Sequence, residues 1–138
     1  IYLLHMQPND YVLTHGGLHK IVTLSGTVSN VETQETCDIN LSSCHIPLTK
    51  SVLEACGFTH SDDSAHYCTS IQNKDRTRVA HIKCTECIGG YSVEISYLKK
   101  SQYHCSQELS VLSELQDFVR MLSGLELTID EKKLAEAI

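Results

Sequence analysis

The chain has no apolar run approaching the roughly 20 residues that cross a bilayer as a helix. Its first residues, Ile1-Tyr2-Leu3-Leu4-His5-Met6, carry no basic n-region or small-residue cleavage site. No contact with a membrane and no secretion are expected from this. Basic residues are also few, with 11 Lys and Arg against 17 Asp and Glu for a formal net charge of −6. A dedicated duplex-DNA binder normally carries a basic footprint, so that class is disfavoured. No phosphate-cradling glycine loop is present, since His15-Gly16-Gly17 and Ile88-Gly89-Gly90 each fit a tight turn. Catalytic signatures are missing as well. Cys44-His45 and His104-Cys105 are neighbours only along the chain, and a strand points neighbours to opposite faces.

What is present suits one folded domain over residues 1–138, long enough to bury about two-thirds of its unfolded surface. Residues 1–100 hold 8 basic and 10 acidic side chains, whereas 101–138 hold 3 and 7, so the acidity gathers at the C-terminal end. The seven cysteines are an odd count without a secretory signal. That pattern reads as reduced thiols in a cytoplasm, several of them filling core positions as small hydrophobes.

Punctuation divides the domain into four stretches. Residues 1–45 read as a β-rich unit, a small antiparallel sheet or SH3-like β-unit. Tyr11–Thr14 and His19–Leu24 flank a Gly-Gly hairpin turn, with further strands at Val28–Val31 and Thr36–Leu41. Residues 46–58 form a short helix, with Thr49 as its cap, Leu48 and Leu53 as a hydrophobic staple, and Gly57-Phe58 as its left-handed stop. Residues 66–98 form a β-meander in which His66–Gln72 and Thr77–Cys84 flank the polar turn Asn73–Arg76. Strict alternation along Tyr91–Leu98 sets Tyr91, Val93, Ile95 and Tyr97 against Ser92, Glu94 and Ser96. Residues 106–138 form a C-terminal helical part. Leu109, Leu112, Leu115, Phe118, Val119 and Leu122 make one stripe of a helix starting near Ser106 and stopping at Gly124. Leu125–Ile129 alternates again, and Thr128 with Glu131 opens a last short helix. The expected class is α+β, with the sheets covered by a long C-terminal amphipathic helix.

Three segments resemble a known family. Ile46-Pro47-Leu48-Thr49 with Leu53 and Cys56-Gly57-Phe58 is similar to an I-P-L-T…G-F segment. Glu114-Leu115-Gln116-Asp117-Phe118 followed by Leu122-Ser123-Gly124-Leu125-Glu126-Leu127 is similar to E-L-Q-[ND]-[LF]…L-[ST]-G-x-E-L. Asn9-Asp10-Tyr11-Val12 through Lys20-Ile21-Val22 resembles the start of the same proteins, which are small uncharacterised proteins of Bacteroidetes and their phages and prophages. The family's aromatic pair is replaced here by Val119-Arg120, and the Cys- and His-rich middle has no counterpart in it. The resemblance implies a fold and a mobile-element origin, and no reaction.

Two constellations carry possible chemistry. His81-x-x-Cys84-x-x-Cys87, with Cys68 brought across by a hairpin, offers four zinc-ligand types, although His81 and Cys84 would face opposite sides of a strand. Lys74, Arg76, Arg78 and Lys83 form a basic band which, with Tyr97, could hold an anionic nucleotide. A solvated hairpin tip explains the same charges. Val111 and Met121 lie just off the helix stripe and suit a homo-oligomer contact. The function expected is therefore a non-enzymatic phage accessory protein that binds a phage or host protein or a nucleic acid. Sequestration of a small anionic nucleotide and a zinc-stabilised interaction module are the alternatives; no cofactor is expected unless the Cys/His cluster takes zinc.

Overall fold

Period-two alternation of apolar and polar side chains sets most of the architecture. The computed structural model describes residues 7–14, 17–23, 27–38, 45–60, 65–98 and 102–138. The first four strands are β1 (Tyr11–Thr14), β2 (Gly17–Ile21), β3 (Thr27–Asn30) and β4 (Thr36–Asp38), and they form an antiparallel sheet in sequence order. Thr14 and Gly17 close the first hairpin as a register pair. The turn positions 15 and 16, the strand end expected at 39–41, and Cys44 lie outside the described residues.

Helix α1 (Lys50–Ala55) forms as its punctuation requires. The Thr49 hydroxyl accepts from the Val52 N–H at 3.2 Å, and Gly57 takes φ +87° so that the Phe58 N–H returns to the Leu53 carbonyl at 3.1 Å. Five antiparallel strands follow: β5 (Thr59–His60), β6 (His66–Gln72), β7 (Val79–Cys87), β8 (Gly90–Leu98) and β9 (Gln102–Leu109), again in sequence order. Helices α2 (Leu112–Ser123) and α3 (Glu131–Ala137) end the chain.

The expected α+β class with a long C-terminal helix is overturned. The protein is mostly β, with two antiparallel sheets of four and five strands and three short helices among the described residues. The reason lies in residues 102–109, which pair with β8 along its full length, Leu109 standing opposite Tyr91 and Cys105 opposite Ile95. Leu109 is buried, as the helix stripe required, but it reaches the core from a strand. Helix α2 starts only after Ser110, where the Glu114 carboxylate accepts from the N–H groups of Ser110 and Val111 at 3.2 and 3.3 Å. Gly124, at φ +71°, ends it. Nor does Leu125–Ile129 form a strand; it runs without regular structure to Asp130, whose carboxylate caps α3 through the Lys133 N–H.

The inward face of the five-stranded sheet presents Tyr67, Ala80, Ile82, Cys84, Tyr91, Val93, Ile95 and Leu109, all buried. Leu112, Leu115, Phe118 and Val119 of α2 and Val52, Leu53 and Phe58 from the α1 region join them in one core. Each large apolar side chain so buried contributes about 1.5–3 kcal/mol. Helix α2 also packs on β1, where the Gln116 side chain accepts from the Tyr11 N–H at 3.1 Å and donates to the Asn9 carbonyl at 3.4 Å. One turn further on, Arg120 pairs at 3.1 Å with the fully buried Asp10 and at 3.1 Å with Glu126. These polar ties fasten the first sheet to the helix that covers the second.

Candidate functional site

Alternation that fills the inward face leaves the outward face of the five-stranded sheet polar. The register aligns Cys68, Ser70, His81, Lys83, Glu94 and Ser96 on that side: Cys68 lies opposite Lys83 and Ser70 opposite His81, and on the next strand Glu94 lies opposite Lys83 and Ser96 opposite His81. Together with Gly57 and Thr59 they line an open cleft of about 660 Å³. The Lys83 ammonium meets the Glu94 carboxylate at 3.1 Å, with both side chains more than a third exposed or nearly so. The Ser70 hydroxyl and His81 Nδ1 share a hydrogen bond of 2.6 Å, and His66 Nδ1 with the Thr85 hydroxyl one of 2.7 Å. Both imidazole–hydroxyl pairs join residues directly opposite in register, so they are cross-strand pairs that stiffen the face. The repetition argues against reading Ser70–His81 as an isolated nucleophile and base, and the acid in the cleft, Glu94, is held by Lys83.

The four expected zinc ligands are split between faces. His81 and Cys68 look outward into the cleft, whereas Cys84 is completely buried on the inward face, where burial pushes its thiol up to about 12. A metal takes a thiolate, and that site opposes one. Cys87 is six strand positions from His81, on the order of 20 Å along β7. Among the described residues no three His, Cys, Asp or Glu side chains are gathered as a metal would require.

The basic band is also dispersed. Lys74 and Arg76 occupy the exposed β6–β7 turn, where Arg76 takes a left-handed φ of +60° and the Asp75 carboxylate, held below the usual range by its hydrogen bonds to Thr77, sits between them. Arg78 lies against Gly124 at the end of α2. Lys83 is on the order of 20 Å along the strand from the turn and already paired. Tyr97 sits in β8 opposite Ala80, and its side chain, like that of His104, lies outside the described residues.

Ser70, Glu94, Ser96 and Thr59 are the cleft residues that motif reading passed over. The signal for three of them was the polar half of the alternation in β6 and β8, a pattern more easily taken as a solvated face. Among the described residues no helix is long and apolar enough to cross a membrane. Comparisons of the chain with family models, with curated proteins and with solved structures find no match.

Proposed function

We propose that the chain is a non-enzymatic binding protein that takes a protein partner on the outward face of its five-stranded sheet. The observation that carries this reading is the open cleft of about 660 Å³ on the outward face, where Cys68, Ser70 and His81 are exposed, while the opposite face is filled by the core. A sheet open on one side to solvent needs only generic polarity there. This face instead holds its side chains in ordered pairs, Ser70 with His81, Thr85 with His66 and Lys83 with Glu94, which lowers the cost of ordering them against a partner. A protein fits better than a nucleic acid, because the cationic group of the cleft is neutralised by Glu94 and the chain is acidic overall. The dispersal of Lys74, Arg76, Arg78 and Lys83 likewise weakens the nucleotide alternative. The resemblance to proteins of Bacteroidetes phages suggests a phage accessory role in a bacterial cytoplasm, with the partner of phage or host origin.

The test is affinity capture from Bacteroidetes cell extract, with and without phage infection, using wild-type protein and the face-blocking variant Ser70→Arg/Ser96→Arg. A specific partner should be retained by wild type and by Lys74→Ala/Arg76→Ala, and lost by the blocked variant. Identical captures from wild type and the blocked variant would remove the reading.

A further inference from the structure

A second cleft, sharing no residue with the first, lies between the first sheet and α3. Its volume is about 460 Å³, and Asn9, Lys20, Ser29, Gln34 and Glu131 are among the side chains lining it. Lys20 stands opposite Tyr11 in the β1–β2 register, with its ammonium 5.1 Å above the Tyr11 ring centre. Among the described residues no carboxylate lies within ion-pair reach of it. Glu131, across the cleft, faces the Tyr11 phenol instead; that carboxylate and, more strongly, burial both raise the phenol's pKa. Two opposite charges thus share one cleft without closing on each other, because one aromatic side chain occupies both. Separated charges of this kind match a ligand that carries both signs.

Two further observations give the ligand a shape. Asn30 and Val31 also line an adjoining cleft of about 310 Å³, whose other walls include Leu13, Leu18, Ala135 and Ile138. Leu13 and Ile138 are among the few large apolar side chains left exposed. The two clefts thus meet at Asn30 and Val31, and the second, lined by Glu32 as well, is apolar on its Leu13, Leu18, Ala135 and Ile138 side. Moreover, two of the three non-glycine residues with left-handed backbone among those described, Asn9 at φ +75° and Gln34 at φ +61°, line the charged cleft. Left-handed backbone outside glycine is uncommon and gathers at ligand sites.

We propose that this double cleft binds a free α-amino acid with a hydrophobic side chain. Its carboxylate meets Lys20, its ammonium meets Glu131, and its side chain enters the space between Leu13, Leu18, Ala135 and Ile138. The site is independent of the sheet face, so the two readings stand or fall separately.

The experiment is isothermal titration, supported by thermal shift, with each of the twenty amino acids up to millimolar concentration. Leucine, isoleucine, methionine or phenylalanine should bind, and glycine and aspartate should bind at least about tenfold more weakly. N-acetyl-leucine and leucinamide, each lacking one charge, should lose about tenfold or more. Lys20→Met and Glu131→Gln, checked for folding by circular dichroism, should each do the same. Absence of binding by every hydrophobic amino acid to folded wild-type protein would overturn the proposal. So would affinity unchanged by both variants, or retained by the acetylated and amidated forms.

Discussion

Replacing Asp10 by Asn should remove a pH dependence of stability between about pH 4 and pH 6. Asp10 is completely buried, and loss of water raises its carboxyl pKa from 3.8 to about 6 against the opposing pull of the Gln7 N–H and the Arg120 guanidinium. Asp117, on the same face of α2, adds a smaller push upward. Arg120 keeps its charge firmly, because Asp10 and Glu126 outweigh its own partial burial. The folded state thus binds more protons than the unfolded chain throughout that window. Asp10's favourable contribution is complete below the unfolded value of 3.8 and is lost as pH rises through about 6. Two pKa units correspond to about 3 kcal/mol, so the ionised group is a net burden of that order at neutral pH. Urea unfolding followed by circular dichroism at a series of pH values, wild type against Asp10→Asn, isolates the effect, since every other group titrates in both proteins. Wild-type stability relative to the variant should fall by up to about 3 kcal/mol as pH rises from about 4 to about 7. A relative stability that rises with pH would show the Arg120 pair winning over burial and would refute the reasoning.

Gln116→Ala should cost about 1–3 kcal/mol in the same assay, because the buried Tyr11 N–H loses its acceptor 3.1 Å away, whereas exposed Met121→Ala should change little. Gly90→Ala should be far more damaging than Gly57→Ala by thermal melting. A Cβ at Gly90 would stand 2.2 Å from the Leu109 carbonyl oxygen, while one at Gly57 meets nothing nearer than Thr69 Oγ1 at 3.9 Å and bears only its left-handed φ, about 1 kcal/mol. In the native protein a thiol reagent should modify Cys37 and Cys68, which are exposed, and spare Cys56 and Cys84, which are buried with thiols pushed up to about 12, until the chain unfolds.

Local rules carried far into this fold. The Thr49 cap and Gly57 stop of α1, and the β6 bounds at His66 and Gln72, followed from chemistry within a few residues of each site. Where the decision was not local, the sequence misled. Leu109 fits a helical step to Leu112 and a strand step from Gln107 equally well, and only pairing with β8 chooses the strand. The charged Asp130 caps α3 in preference to Thr128, because the Asp130 N–H is itself anchored to the Ala55 carbonyl at 2.9 Å. The sites were less legible still. Opposite facing of His81 and Cys84 followed from strand period, but the cleft depends on register across β6, β7 and β8, which sequence spacing does not encode. The association of Lys20, Tyr11 and Glu131 spans 120 residues of chain and left no local mark.

Thiol footprinting of the captured complex tests the proposed face most directly. Cys68 lines the outward cleft, whereas Cys37 is exposed on β4 of the other sheet, so one protein carries both the probe and its control. With partner bound, alkylation of Cys68 should slow by about tenfold or more relative to free protein, while Cys37 reacts at its free rate. Cys68 reacting equally fast in the complex and in the free protein would contradict the assignment of that face as the binding surface.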